Sequence, residues 1–336
     1  MTRPDDYLWD RSGPTDPDVE RLEQLLSPLA HRAPLDEPRL RRRRARAPWI
    51  AAGAVVAAAA AVAIVVWRWP GGGAPACGGQ ATGFAFAARG GGSVECGGAA
   101  VTAGVLPVGG VLDTGAHEAE LRIANIGRAE LGARTRVRLD RTSPERHQLF
   151  LERGRMHARV SAPPRLFAVA TPGAHVTDLG CEYTLDVDET GAGSIVVRTG
   201  KVELESGTGG VVVVPQGARA RLLAGRRAGL PLLDGAAPAL DGAAREFEQG
   251  RPGGLEAVLA AATAEDAITL ASLAVLAEPA RRRAVLERLD QLFRVPAPHT
   301  LEQALADRAV LDAWLAQVVD FAMARGALPW NVPARE

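Results

Sequence analysis

The sequence has few of the residues that build disulfide scaffolds, aromatic clusters and basic surfaces. Three cysteines in 336 residues are too few for a fold held together by disulfides. Aromatic residues make up 4% of the chain, and Lys201 is the only lysine, so nearly all positive charge comes from arginine. The 39 basic and 39 acidic side chains cancel, so no global electric field favours nucleic acid as a partner.

Motifs of the common enzyme classes are also absent from the sequence. HExxH, GxSxG and GxxxxGK[ST] do not occur. Residues 199–202 (TGKV) come nearest to a phosphate loop, but valine follows the lysine and strand patterns flank it, so we expect a hairpin turn. The histidines show no metal-ligand spacing, and we interpret the three on neighbouring predicted strands as solvated side chains: His147, His157 and His175. The sequence therefore predicts a protein that is not an enzyme and holds neither metal nor cofactor.

Residues 49–67 (WIAAGAVVAAAAAVAIVVW) form a long apolar run without a charged side chain. As a helix, these residues rise about 1.5 Å each and span about 28 Å, close to the ~30 Å hydrocarbon core of a bilayer. Tryptophan stands at both ends, where its amphipathic ring favours the membrane interface. We predict a transmembrane helix over residues 47–68. A buried alanine-rich helix of a soluble protein is the alternative.

Arginines before this run predict its orientation. Residues 68–82 contain one charged residue, whereas residues 39–46 contain six arginines, among them Arg41, Arg42, Arg43 and Arg44. Positive residues stay in the cytoplasm, so the N-terminus is expected inside and the C-terminus outside. Beside a membrane span, these arginines set the topology and contact anionic lipid rather than nucleic acid.

Residues 1–46 form a short cytoplasmic tail with one apolar stripe. Asp16 and Pro17 are typical of a helix start, and leucines follow Val19 at intervals of three and four residues. A helix this short is marginal in water, so the stripe either packs on nearby aromatic residues or binds a partner. We favour a partner, bound through Tyr7, Trp9, Val19, Leu22 and Leu26.

Residues 69–110 are rich in glycine and alanine and show little periodicity, which is typical of a spacer with one or two short strands. Cys77 and Cys96 each precede a pair of glycines. Outside the cytoplasm, where oxidation is permitted, we expect a disulfide between them to close this loop. Zinc binding is a poorer interpretation, because neither cysteine has a neighbouring histidine.

From residue 111 to about 225, short alternating strands are separated by glycine and proline at roughly ten-residue spacing. Residues 149–160 are interpreted as two strands with a turn at Gly154. No helical pattern interrupts the series, so the sequence predicts a mainly β domain of sandwich or solenoid type. Cys181 lies between apolar strand positions and is predicted to be a small buried residue, not a nucleophile.

Beyond residue 240 the apolar spacing changes to three and four residues, the period of a helix. Residues 264–277, a segment that begins at Pro279, and residues 301–325 each predict a helix. The chain therefore has a predicted C-terminal helical segment over residues 240–326, followed by an irregular tail at residues 327–336.

The β region, from about residue 113 to 223, resembles the FecR domain of bacterial cell-surface signalling proteins. The resemblance rests on a series of elements in the family's order. These are residues 149–160 (LFLERGRMHARV), 167–172 (FAVATP), 176–183 (VTDLGCEY) and 196–202 (VVRTGKV). Cys181 stands where the family usually has threonine, a change between small residues.

This resemblance implies a β-solenoid-like periplasmic domain that binds other proteins. In iron-uptake relatives the cytoplasmic tail binds an extracytoplasmic-function sigma factor, and the periplasmic part senses an outer-membrane transducer. Two features depart from that pattern, namely the shorter tail and a helical segment where relatives carry a small α/β subdomain.

We expect a single-pass regulator of the bacterial inner membrane, of the FecR or anti-sigma type. It would relay a signal from an unidentified envelope protein or ligand to a cytoplasmic sigma factor. An envelope scaffold that binds peptidoglycan or another protein, without a sigma-factor role, is the alternative.

Overall fold

The computed structural model describes Cys77 and residues 82–207 and 209–326. Strands fill the first part of this region: β1 (Gly83–Ala88), β2 (Val94–Cys96), β3 (Ala99–Val101), β4 (Ala103–Pro107), β5 (Val111–Asp113), β6 (Ala119–Ile123), β7 (Gly127–Leu131), β8 (Arg136–Ser143), β9 (Arg146–Val160), β10 (Phe167–Ala170), β11 (His175–Asp178), β12 (Glu182–Val187), β13 (Gly193–Thr199), β14 (Lys201–Glu205), β15 (Val211–Pro215), β16 (Ala218–Leu222) and β17 (Leu232–Leu233). Helices follow: α1 (Pro238–Glu248), α2 (Gly254–Ala261), α3 (Ala267–Leu276), α4 (Pro279–Leu292), α5 (Leu301–Ala306) and α6 (Arg308–Gly326). The prediction of a mainly β protein with C-terminal helices is confirmed.

Several predicted features lie outside the described residues. They are the membrane span at residues 47–68, the tail at residues 327–336, the stripe residues Tyr7, Trp9, Val19, Leu22 and Leu26, and the arginines Arg41, Arg42, Arg43 and Arg44. Within Cys77, 82–207 and 209–326, no helix has the length and hydrophobicity that a membrane crossing requires.

Strand β9 belongs to two sheets at once. Residues 146–153 pair with β8, and residues 147–150 also pair in parallel with β10. Residues 154–160 pair instead with β7 and β12. The change of partners occurs at Gly154, whose φ of 96° lies in the left-handed region that glycine enters without strain. The turn predicted here is wrong, because the glycine redirects a continuous strand rather than reversing it.

The strands on either side of β9 complete the two sheets. We call sheet A the order β4-β1-β6-β7-β9-β12-β13-β16-β17. Sheet B has the order β3-β2-β5-β8-β9-β10-β11-β14-β15. All neighbours are antiparallel except β9 and β10. Neither sheet closes into a barrel, and the solenoid-like interpretation stays a prediction.

The core lies between the inward faces of the two sheets. Along β9, inward side chains alternate with outward ones, and Leu149, Leu151, Met156 and Ala158 are fully buried. The rings of Phe84 in sheet A and His147 in sheet B have centroids 5.7 Å apart. Burial of these alternating apolar side chains is the main force that holds the layers together.

Residues 83–107, assigned to a spacer from their composition, form four strands that enter both sheets. Phe84, Phe86 and Leu106 are buried in the core. The sequence does not predict these core strands, because most of their residues are glycine or alanine. Only a few large side chains occupy the inward positions, so the alternating pattern of a strand is weak.

The chain at residues 199–202 does not form the expected hairpin. Strand β13 pairs with β12 and β16 in sheet A, whereas β14 pairs with β11 and β15 in sheet B. The connection at Gly200, with φ of 75°, therefore passes from one layer to the other. Strands on both sides also exclude the strand-to-helix geometry of a phosphate loop.

A charge cluster around the buried Glu248 joins the helical segment to sheet A, and its other members, Arg221 and Asp241, are partly buried. Arg221 of β16 pairs with Asp241 and donates through Nη1 to Glu248 Oε2 at 2.7 Å, both acceptors on α1. Glu248 Oε1 accepts from the Leu230 backbone N–H at 2.8 Å. Burial raises the pKa of Glu248, and Arg221 opposes that rise. Burial also acts to raise the pKa of Asp241, but Arg221 and neighbouring arginines lower it on balance.

Gly154→Ala is expected to lower the free energy of unfolding by about 3 kcal/mol. Alanine is strained at positive φ, and its Cβ would overlap Thr135. Gly207→Ala is the matched control, because a Cβ there meets nothing within 4 Å. Thermal unfolding followed by far-ultraviolet circular dichroism measures both variants. Equal midpoints would contradict the role given to Gly154.

Arg221→Met is expected to destabilise the protein by about 3 kcal/mol at neutral pH, because it leaves the Glu248 carboxylate buried without its cation. A raised pKa means that the folded state binds the Glu248 proton more tightly, so this group's contribution to stability falls as pH rises above 4.5. Loss of Arg221 raises that pKa further, so the defect should shrink in acid and grow as pH rises. Denaturant titrations across pH measure it.

The matched control is Arg219→Met, on the same strand and 3.4 Å from the same Asp241. Arg219 is more exposed, so this change should cost less than about 1 kcal/mol. Equal losses for the two variants, or a loss for Arg221→Met that does not depend on pH, would contradict the charge cluster around Glu248.

Candidate interaction surface

The three histidines interpreted as solvated side chains each have local partners, and that interpretation is wrong for His147, which is buried. His147 Nδ1 lies 2.8 Å from Thr142 Oγ1, His157 Nε2 lies 3.1 Å from Glu182 Oε1, and His175 Nε2 lies 3.4 Å from Arg146 Nη2. Within the described ranges, no three side chains of histidine, cysteine, aspartate or glutamate are grouped as metal ligands.

Cys181 is buried and its sulfur donates to Asp178 Oδ2 at 2.8 Å. Asp178 Oδ1 accepts from the Gly180 backbone N–H at 2.6 Å. Burial, followed by the nearby Asp178 carboxylate, raises the pKa of the Cys181 thiol far above its ordinary value. A neutral, shielded thiol is a poor nucleophile. Cys181 therefore has a structural role, as a small hydrogen-bond donor in the core.

Cys77 and Cys96 are joined by a disulfide, with their Cα atoms 5.8 Å apart. Cys96 ends β2 and is buried, next to Leu112 of β5 in sheet B. The bond ties the chain at residue 77 to the body of sheet B.

The outer face of sheet A is charged, and its charges pair with one another. Arg155 pairs with Asp186 at 2.5 Å and Arg159 with Glu182 at 2.9 Å, both across β9 and β12. Exposed pairs of this kind contribute little to stability, because water and salt screen their attraction. Their effect is to make this face polar and locally neutral, which does not favour an apolar partner.

Sheet B has a different outer surface at β14 and β15. A cavity of about 310 Å³ lies between these strands and helices α3 and α6. We call it the apolar groove, and its apolar lining consists of Leu179, Val211, Val212, Val213, Ile268, Ala271, Val275, Leu315, Ala316 and Val319. Val211 is 42% exposed and Val275 is 40% exposed. The groove thus leaves large apolar side chains open to solvent.

Hydrogen bonds hold the two helices that line the groove in place. Gln216, just after β15, donates through Nε2 to the Met323 carbonyl oxygen of α6 at 2.8 Å. Thr269 of α3 donates to the Pro231 carbonyl oxygen at 2.7 Å. On α6, buried Trp314 donates through Nε1 to the Phe293 carbonyl oxygen at 3.1 Å. Both helices are therefore held in place beside β15.

Charged side chains form the rim of the groove. Glu203 pairs with Arg165 at 2.6 Å, and Asp312 pairs with Arg308 at 2.8 Å. Lys201 and Asp320 also line the rim, and neither makes an ion pair with another residue of the described region. An apolar centre surrounded by charged side chains is typical of protein-binding surfaces.

Sequence reasoning missed this groove, because its walls come from three distant segments of the chain. The only local signal is the Val211–Pro215 strand, whose outward positions carry valine instead of a polar residue. The predicted site residues in the tail lie outside the described region, so their role stays a prediction.

Alkylation without reductant should distinguish the three cysteines. In the native protein we expect no adduct, because Cys181 is buried and the other two are bonded to each other. After unfolding, one adduct should form at Cys181, and reduction should allow all three cysteines to react. Mass spectrometry counts the adducts. Labelling of Cys77 and Cys96 before reduction would show that the disulfide does not form.

No curated protein matches this chain. Two crystal structures of a candidate anti-sigma factor from Parabacteroides distasonis are similar to it at 18% and 19% identity, with TM-scores of 0.31 and 0.30. Each match covers 34% of this chain, and they cover 55% and 54% of the other chains. This chain therefore spans about half the length of those proteins.

Residues 111–203 match the model of the family described as FecR protein. In the structure this stretch begins at β5, contains the shared strand β9 and ends within β14. The elements that carry the predicted resemblance, from LFLERGRMHARV to VVRTGKV, fall inside it. The part of the chain that links sheets A and B is thus a FecR domain, as its sequence predicts.

Proposed function

We propose that this protein is a single-pass membrane regulator that binds a sigma factor inside the cytoplasm and responds to an envelope signal outside it. The FecR match over residues 111–203 is the observation that carries the proposal. The sequence before residue 70 predicts the membrane span and the cytoplasmic tail that the proposal also requires.

The proposed topology places the FecR domain in the periplasm. The apolar run at residues 49–67 has the length of a membrane span, and the arginines before it favour a cytoplasmic N-terminus. The disulfide between Cys77 and Cys96 supports this placement, because such bonds persist in oxidising compartments. The protein is therefore proposed to reside in the bacterial inner membrane.

The cytoplasmic tail is the proposed sigma-factor site. It is too short to bury a core of its own, yet it carries Tyr7, Trp9 and a stripe through Val19, Leu22 and Leu26. An amphipathic helix of this kind gains stability when its apolar face enters a partner's groove. We assign the tail to capture of an extracytoplasmic-function sigma factor, which is released or activated when the outer domain changes state.

The described domain supports a binding role rather than catalysis. Many of its charged residues pair with one another, and Cys181 is shielded. The exposed apolar side chains in the groove are suited to contact with another protein surface. An envelope protein or ligand that contacts this domain is the proposed source of the signal.

Co-purification of the full chain with the sigma factor encoded next to it tests this function. Wild-type protein, extracted in detergent, should retain that sigma factor. Trp9→Ala and Leu22→Ala should each reduce the retained amount at least about tenfold, since a buried aromatic or leucine anchor is worth more than about 1.4 kcal/mol. Leu40→Ala, between the arginines and off the stripe, is the matched control and should not change retention.

Retention that is unchanged in Trp9→Ala and Leu22→Ala would show that the tail is not the binding site. Absence of the sigma factor from wild-type preparations would favour the envelope scaffold instead. In that case the tail only anchors the protein, and the outer domain performs the binding.

A further inference from the structure

We propose that the apolar groove is the docking site for the chain's own residues 327–336, with Trp330 as the side chain that fills it. This inference concerns the described domain and its C-terminal segment alone, so it does not depend on whether the tail binds a sigma factor. The sequence of the segment is ALPWNVPARE.

The groove has the properties of a surface that another segment covers. Val211 and Val275 rank among the few large apolar side chains exposed in the described part of the protein, and both line it. Leu315 and Val319 of α6 are only partly buried there. Removing such side chains from water is favourable in proportion to the apolar area covered.

The end of α6 brings the segment to the groove. Gln216 holds the Met323 carbonyl oxygen, and the Gly326 backbone packs against Gln216 and Gly217. Along β15, the groove residue Val213 lies three residues before Gln216, or about 10 Å at strand spacing. Along α6, Val319 lies seven residues before Gly326, also about 10 Å at helix spacing.

Trp330 has the reach that this geometry requires. Four residues separate it from Gly326, and an extended chain covers up to about 14 Å in four residues. Its apolar neighbours Leu328 and Val332 are two and six residues beyond Gly326, so they can lie nearer to it and farther from it than Trp330. Trp330 is the largest apolar side chain of the segment, and its area is suited to an anchor role in a groove of about 310 Å³.

The local sequence favours an extended segment over a continued helix. Pro329 and Pro333 cannot donate helical hydrogen bonds, and each disfavours helix in the residue before it. Those preceding residues are Leu328 and Val332, which alternate with Trp330. In an extended chain, residues two positions apart share a face, so all three side chains can face one surface.

Charge on the rim is compatible with this occupant. Asp320 lines the groove and makes no ion pair within the described residues, while Asp312 already pairs with Arg308. The segment carries its basic residue at Arg335, on the far side of Trp330 from α6. Residues 327–334, the part of the segment that passes the groove, carry no charge, so docking brings no acidic side chain beside Asp320.

Cross-linking in the full chain tests the docking. Val211→Cys places a thiol in the groove, and Asn331→Cys places one beside Trp330 without removing it. A short bis-maleimide should join the two within one chain, and the native cysteines do not compete because one is buried and two are bonded. We expect at least fivefold more intramolecular product than in a control pair, Val108→Cys with Asn331→Cys.

Val108 is a suitable control because it is 46% exposed but lies in the turn between β4 and β5, three residues before β5 begins. Six strand spacings separate β5 from β15 in sheet B, about 29 Å, beyond the reach of residue 331 from Gly326. Circular dichroism of each variant verifies that the substitution leaves the fold intact.

Two further changes identify the contacts within the Val211→Cys and Asn331→Cys background. Trp330→Ala should reduce the product to the control level, whereas Trp330→Phe should retain most of it. A yield no higher than the control pair, or a product that joins two separate chains, would overturn the proposal.

Discussion

The described structure depends on one strand that serves two sheets. β9 is hydrogen-bonded in sheet B up to residue 153 and in sheet A from residue 154, so the two layers share a covalent and hydrogen-bonded axis. Gly154 makes this possible, since its positive φ and lack of Cβ allow the strand to bend against Thr135. Strands β5 to β8 then lie on one side of this axis and β10 to β16 on the other, with the apolar core between the layers.

The helical segment takes its position from the sheets through polar contacts at the layer edges. Arg221 holds α1 through its pair with the buried Glu248, and Gln216 holds α6 through a single carbonyl oxygen. With the hydrogen bond from Thr269 of α3 to the Pro231 carbonyl oxygen, these contacts leave α3 and α6 beside β15 without covering it completely. The apolar groove is the consequence, because helices fixed at their ends leave the outward valines of β15 open between them.

In the described domain, paired polar groups and exposed apolar side chains lie in different places. Charged residues on sheet A pair in register across strands, and the buried Cys181 and Asp178 satisfy each other. The exposed apolar surface is confined largely to the groove, which is where association with another segment gains the most from burial. The disulfide between Cys77 and Cys96 ties the start of the described region to sheet B.

The sequence by itself determined the mainly β region, the C-terminal helices and the FecR resemblance, because the two-residue and 3.6-residue periods and the order of short motifs are local properties. Only the tertiary structure decided that residues 149–160 are one strand, that residues 83–107 enter both sheets, and that Gly200 crosses between layers. These outcomes depend on which distant strands pair. The groove is of the same kind, since residues near 211, 275 and 315 meet only after the helices have packed. No local pattern encodes a surface assembled from segments a hundred residues apart.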